Sequence, residues 1–404
     1  MCTSYLPVVQ SRYAKLTLII SALVLIVLAV ATLPFTPIVV NAADTTPTPT
    51  APLPRITADN ADRLIQIARS QRIVSPAEGV PPQLKFNTDG TTLITSTSAG
   101  IKLWDVNTGQ ERSLQGAPIF GDFAISPNGK LLALIAPKSN IESVIQIYDV
   151  ETGKKLSDLA GTLFHINQFA FSPDSTNILA VAVKTGSENR PQVYRWDIAT
   201  RKQINGFSSI EGLGTAIFSQ DARYVAGFGQ YGLEVSDLNK GTSQVLLKYS
   251  DPNIAYSFNF SPDGKYMAVA DENTITILDI QTGVQISTLP GLKRYGITYM
   301  IFSPDDQILG ISSDFGGAFV PYKILTGKPV QIPDVTGNMR GVLTFSPDSQ
   351  LMISNTDKDI EIRTTLSSEV VAKIAGPARP VFSPDGTMLA LYNDGIIRLF
   401  RVGQ

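Results

Sequence analysis

Phe260-Ser261-Pro262-Asp263-Gly264 is the best preserved of eight near-copies of one short phrase. The others start at Phe86 (FNTDG), Ile125 (ISPNG), Phe171 (FSPDS), Phe218 (FSQDA), Phe302 (FSPDD), Phe345 (FSPDS) and Phe382 (FSPDG). Along the chain, successive starts lie 39, 46, 47, 42, 42, 43 and 37 residues apart. A recurrence of about 42 residues marks a repeat architecture, so the repeat is read before any single motif. Within the phrase an apolar residue closes a strand and proline limits further pairing. Asp-Gly, or a polar substitute for it, then makes a tight hairpin turn.

The residues after each phrase are as regular as the phrase. Behind Phe260 come the run Tyr266-Met267-Ala268-Val269-Ala270, a polar turn at Asp271-Glu272-Asn273, and the run Thr274-Ile275-Thr276-Ile277-Leu278-Asp279. Gln281-Thr282-Gly283 then turns the chain into a last short run, Val284 to Leu289. One strand before the phrase and three after it give a four-stranded antiparallel sheet with no room for a helix. Many of these strands are apolar on both faces, which suits sheet packed against sheet. A radial stack of such sheets is a β-propeller, in which only short edges stay open. The fold expected is therefore all-β: a single eight-bladed β-propeller of four-stranded antiparallel blades over residues 55–404. Seven blades would require one repeat to be discarded.

Here the chain resembles the WD-repeat family, named for a Trp-Asp pair that ends the third strand of a blade. Lys102-Leu103-Trp104-Asp105 and Arg195-Trp196-Asp197 carry the pair in full. Ile147-Tyr148-Asp149 and Ile277-Leu278-Asp279 replace Trp with another apolar residue, and Val235-Ser236-Asp237 keeps only Asp. The last three repeats have Tyr322-Lys323, Ile362-Arg363 and Leu399-Phe400 instead. The family often adds a Gly-His and a buried Asp to a hydrogen-bond network in each blade. With one histidine in the chain, that network does not recur here. The resemblance implies a rigid platform for proteins or peptides with no catalytic centre of its own.

The last repeat stops short. After Phe382 it holds Met388-Leu389-Ala390-Leu391 and Ile396 to Val402, and then ends. The segment Ile56 to Ile73 belongs to no complete repeat, so Leu64-Ile65-Gln66-Ile67-Ala68 is expected to supply the missing fourth strand. That would close the ring and remove an edge open to aggregation. A short helix over residues 58–69 is the competing local reading.

Lys plus Arg total 33 against 35 for Asp plus Glu, so charge makes no case for nucleic acid as a partner. The single cysteine, Cys2, excludes an intrachain disulfide. Leu16 to Leu33 runs eighteen residues without a charge or proline, close to the ~20 that span a bilayer core as a hydrophobic helix. Pro34 and Pro37 follow, and Val40-Asn41-Ala42 fits a small-residue cleavage site. Residues 1–43 thus read either as an uncleaved signal anchor or as a cleaved signal peptide. Arg12 and Lys15 precede the run and no base follows until Arg55, so both readings export the propeller. Localisation is then membrane-anchored on the extracytoplasmic side, or secreted. Residues 44–54 (DTTPTPTAPLP) are a Thr/Pro linker unable to build a core.

Catalytic chemistry has few carriers. His165, in the connection Gly161 to Ile166, is the sole histidine, so a Ser-His-Asp set or a His metal site would need it. The Asp-rich turns at Asp105, Asp149 and Asp279, each with Thr-Gly three and four residues on, offer too few oxygens for calcium, which takes about 6–8. No cofactor and no metal is expected. The runs Phe315-Gly316-Gly317 and Gly229-Gln230-Tyr231-Gly232 read as turns rather than phosphate loops, because no helix follows.

Loops at the ends of the channel are where a propeller carries function. The two longest repeats owe their length to connections between strands two and three. These hold Lys138, Asn140 and Glu142 in blade 2, and Glu188, Asn189 and Arg190 in blade 3. Connections leading into blades 6, 7 and 8 carry Lys293-Arg294-Tyr295, Arg340 and Arg379 on the same face. Together they form a candidate partner-binding face for a protein or peptide, and the cations suit an acidic group. The expected function is an exported scaffold for protein–protein interaction, monomeric, tethered through its N-terminal segment if that is uncut. Two alternatives stand: a hydrolase or lactonase-like enzyme at the channel, marked by carboxylates with raised pKa, or a glycan- or solute-binding sensor with Phe120, Phe164 and Tyr295 around its mouth.

Overall fold

The computed structural model describes residues 53–403 apart from 71–82, 98–99, 115, 118–121, 140–141, 185–190, 205–215, 230, 249–256, 272–273, 291–298, 313–320, 331–341, 357 and 394. The expected N-terminal helix, and all of the linker before Leu53, lie outside the described residues. Among those described, no helix is long and apolar enough to cross a membrane.

The eight phrases organise eight antiparallel blades. Blade 5 shows the plan: Ser257–Phe260, Tyr266–Ala270, Thr274–Asp279 and Gln285–Pro290, hydrogen-bonded in that order. Its register opposes Phe260 to Met267, Tyr266 to Asp279 and Thr274 to Pro290. Blades 1, 4 and 7 repeat this four-strand order. Blade 6 has three strands among the described residues, the third being only Tyr322–Lys323.

Blades 2 and 3 form one seven-stranded sheet, because a single strand, Lys155–Phe171, runs through both. Its first part pairs with the third strand of blade 2, Leu159 facing Ile145, and its last part pairs with Asn177–Lys184, Phe171 facing Ile178. This corrects the sequence reading of Gly161 to Ile166 as a loop. His165 sits within the strand, opposite Val183.

In blade 8 the outermost strand is Leu64–Arg69, which pairs antiparallel with Ile396–Val402 from Leu64↔Val402 to Arg69↔Arg398. A bulge between Gln66 and Ala68 interrupts the register. Only Ala61–Arg63 is helical, as one 3₁₀ turn, so the helix reading of residues 58–69 fails. Just upstream, Ile56 is 1% exposed and its N–H donates to Gly386 O at 2.9 Å.

Two-sided burial explains the doubly apolar strands. Met267 and Val269 pack with Ala226 and Val235 of blade 4, whereas Ala268 and Ala270 pack with Met300 and Leu309 of blade 6. An apolar cluster of this kind lies at each junction of neighbouring blades. The one between blades 8 and 1 joins Tyr392, Ile397 and Leu399 to Phe86, Leu93 and Trp104. Sheets buried on both faces have no solvent side to pattern, so alternation gives way to continuous apolar runs.

The serine of the phrase, rather than the proline, ties the turn together. Ser261 Oγ donates to Asp263 Oδ1 and accepts from Tyr266 N–H, both at 2.8 Å. Ser126, Ser172, Ser219, Ser303, Ser346 and Ser383 repeat the bond to the residue two ahead. In blade 1 the side-chain carbonyl of Asn87 takes over and accepts from Thr92 N–H. The fifth residue always adopts positive φ, from 50° at Ala222 to 73° at Gly90. Ser175, Ala222, Asp306 and Ser349 therefore hold a left-handed conformation that glycine adopts without strain elsewhere.

Candidate partner-binding face

In an up-and-down blade, the turns between strands 1–2 and 3–4 share one face. The 2–3 hairpins and the connections between blades share the other. The sequence placed its candidate residues on this second face, and the structure describes three of them. Lys138 is exposed at the hairpin tip of blade 2, where its N–H and that of Ser139 both donate to Glu142 O, at 2.8 and 3.2 Å. This closes a compact loop with the Lys138 side chain in solvent and Glu142 half-buried at its base. Arg379 is the exposed first residue of the innermost strand of blade 8 and forms no ion pair among the described residues. Asn140, Glu188, Asn189, Arg190, Lys293, Arg294, Tyr295 and Arg340 lie outside the described residues, as do Phe120 and the side chains of Phe164 and His165.

Sequence reasoning missed the polar groups on the innermost strands and, in blade 2, just before one. Those strands have one edge paired and the other turned to the channel, so exposure there means exposure to the channel. Blade 1 contributes Gln83 and Lys85, blade 2 Asp122 and blade 3 Gln168; Lys85, Asp122 and Gln168 are exposed. Gln83 Nε2 hydrogen-bonds to Asp122 Oδ1, and Lys85 Nζ donates to Phe123 O at 3.3 Å and lies 5.2 Å from the Phe123 ring centroid. Although the Lys85 side chain keeps contact with solvent, the protein crowded around the channel pulls its ammonium below its ordinary pKa, and the charge of Asp122 pushes it back up. With Arg379, these groups form one polar sector across blades 8, 1, 2 and 3. The position of Lys85 itself is apolar in blades 4, 6 and 8, at Ile217, Ile301 and Val381, and polar in blades 5 and 7, at Asn259 and Thr344. A lysine inside the strand Gln83–Phe86, where the other repeats put Ala, Ile, Asn, Thr or Val, was the available signal.

One aromatic also stands out. Tyr231, in the tight hairpin of blade 4, is 65% exposed. The opposite face holds two small cavities. One of about 140 Å³ lies between blades 7 and 8 against Arg55 and Ile56, and one of about 110 Å³ lies between blades 3 and 4 beside Arg195 and Arg223. Both fall short of the roughly 300–1,000 Å³ of a small-molecule site.

The carboxylate chemistry is local. Asp279 Oδ1 accepts from Thr282 N–H and Thr282 Oγ1, both at 2.8 Å, and Asp105 and Asp149 act alike. Among the described residues, no three His, Cys, Asp or Glu side chains are grouped to hold a metal ion. The carboxyl with the largest rise is Asp306, pushed up to about 7 by burial and by Asp263 beside it. It occupies the fifth position of a turn on the face away from the loops, where it bridges blades 5 and 6.

No family model matches the chain. It is 31% identical over 153 residues to WD repeat-containing protein SL1-17 of Schistosoma mansoni, which covers 37% of this chain and 48% of that protein. The chain thus spans about half the length of that relative. It is 25% identical over 336 residues to Autophagy-related protein 18 of Dictyostelium discoideum, covering 72% of this chain and 89% of that one. Among solved structures it resembles the Myceliophteria thermophila Cps50 (Swd1) β-propeller domain, with a TM-score of 0.50 and 13% identity over 84% of this chain and 99% of the other. Repeats, blades and relatives agree on an eight-bladed β-propeller that is similar to WD-repeat proteins.

Proposed function

We propose that this protein is a non-catalytic scaffold that holds a protein or peptide partner on the face carrying Lys138, Tyr231 and Arg379. The observation that carries this reading is the set of Arg379, Gln83, Lys85, Asp122 and Gln168, polar side chains on or beside the innermost strands of blades 8, 1, 2 and 3. Exposed tyrosine and arginine are residue types that dominate binding energy at protein interfaces. A stiff ring presents them at little entropic cost, since strands buried on both faces leave the side chains little to reorganise.

The finer part of the reading concerns location. Arg12 and Lys15 before the uncharged run Leu16 to Leu33 support export of the propeller, either tethered by that run or released after it. Protease protection in cells tests this: a propeller digested from the cytoplasmic side would end the export reading. Affinity capture with the full chain tests the face. Lys138→Glu combined with Arg379→Glu is expected to lose the specific partner that the wild type retains. Equal capture by both chains would move the binding surface elsewhere.

A further inference from the structure

The seam between blades 7 and 8 holds two arginines that the scaffold reading does not use. Arg69 and Arg398 are direct cross-strand partners where Leu64–Arg69 pairs with Ile396–Val402. Like charges placed opposite each other on antiparallel strands destabilise the pairing. Burial first, and then the charge of Arg69, pulls the Arg398 guanidinium below its ordinary pKa. Among the described residues neither arginine forms an ion pair, and Asp359, opposite Ala375 in the blade 7 ladder, does not reach them.

The geometry around the pair is that of a cradle. Arg398 Nη1 and Nη2 each donate to Ala375 O at 3.1 Å, which fixes the guanidinium across the seam and leaves its other N–H groups available. Next to that carbonyl is Gly376, at φ +85°, with its own N–H on Lys358 O. A Cβ on Gly376 would lie 3.7 Å from Asn393 Nδ2 and 4.0 Å from Arg398 Nη2. The space left by the missing side chain is therefore bordered by two donors, with the exposed Arg69 on the neighbouring strand.

We propose that this seam is an oxyanion site for a phosphate group, with Arg69 and Arg398 supplying charge and Asn393 a third donor. A planar guanidinium fork matches phosphate oxygens in pairs. A dianion between the arginines turns their repulsion into a bridge, and so ties the N-terminal strand to the last strand of the chain. The channel mouth and this seam share no residue, so either assignment can fail without the other.

The test is thermal unfolding of the full chain in inorganic phosphate and in chloride at equal ionic strength, with direct titration by calorimetry. O-phosphoserine serves as the second arm, to separate free phosphate from a phosphate ester. Wild type is expected to show a saturable rise in Tm with phosphate. Arg69→Gln, an exposed position, is expected to bind at least ~10-fold more weakly, the loss of about one charged hydrogen bond. In chloride alone, Arg69→Gln is expected to melt no lower than wild type, because the repulsion has gone. Asn393→Ala is expected to weaken phosphate without that gain. Phosphate responses equal in wild type, Arg69→Gln and Asn393→Ala would reduce the effect to bulk salt and overturn the site. Tighter O-phosphoserine than phosphate would point to an ester as the natural ligand, and the reverse to the free ion.

Discussion

Ser349 Oγ accepts a hydrogen bond from Asp305 N–H at 2.9 Å, across the junction of blades 6 and 7. Ser175 Oγ does the same for Asn128 N–H at 3.1 Å between blades 2 and 3. At the junction of blades 5 and 6 the equivalent residue is Asp306, whose carboxyl meets both the backbone and the side chain of Asp263. A joint built for a hydroxyl or for glycine thus carries a second carboxyl there.

This makes stability depend on pH. Asp306 is raised in the folded chain from 3.8 to about 7, so the native state keeps a proton that the unfolded chain has lost. The contribution is fully present below about pH 4 and is lost as pH rises through about 7. Asp306→Ser is expected to exceed wild type in stability by about 1–2 kcal/mol at pH 8, a value reduced for partial contact with solvent. At pH 4 the difference should vanish. Urea unfolding at both pH values checks it; a gap independent of pH would dissociate the effect from the Asp263–Asp306 pair.

Ser261 is 0% exposed and both bonds of its hydroxyl lie within one turn. Ser261→Ala leaves Tyr266 N–H without its side-chain acceptor, at a cost of about 1–2 kcal/mol. Ser261→Asn is expected to recover part of the loss, because Asn87 already does this task in blade 1. Chemical denaturation of the two variants provides the comparison.

Glu361 and Arg363 form a buried pair in blade 7, with side chains 8% and 7% exposed, and Lys373 Nζ lies 2.8 Å from the other carboxylate oxygen of Glu361. Burial works against the Glu361 charge, but hydrogen bonds from Lys373 and Arg363 outweigh it and hold the carboxyl below its ordinary range. Glu361→Ala strands the Arg363 guanidinium, which also donates to Ser368 O at 2.8 Å, and should cost about 3–5 kcal/mol. For a depressed carboxyl the contribution is present above the unfolded value of 4.5 and is lost as pH falls through the folded one. Acid unfolding should therefore begin at higher pH in wild type than in a chain carrying the Glu361→Leu, Arg363→Met pair.

Leu64–Arg69 covers the open edge of Ile396–Val402. A chain starting at Ser70 exposes that edge, and with it loses Ile56 and Ala61 from the cluster holding Phe382, Phe400 and Val402. Light scattering during a thermal ramp is expected to show early aggregation of this chain, while one starting at Leu53 melts as the full chain does.

Much of the blade could be read from residue order because its determinants are local. The phrase at Phe260 fixes a turn through contacts within six residues, from Ser261 to Tyr266. Two-sided apolar runs such as Tyr266–Ala270 announce sheets packed on both faces. Where the signal came from elsewhere in space, the reading failed. Nothing near Gly161 shows that Lys155–Phe171 continues as one strand, since that depends on Asn177–Lys184 and Ser143–Asp149 being there to pair with it.

The sequence by itself determined the number of blades, the place of each turn and the lack of a fourth strand in the last repeat, because short-range hydrogen bonds and hydrophobic periodicity follow residue order. Only the tertiary structure decided which side chains meet across blades: Asp306 with Asp263, Arg398 with Ala375, and Lys85 with Asp122. Those partners are 43, 23 and 37 positions apart in the sequence, and only the packing of one sheet against the next sets their distance, burial and charge.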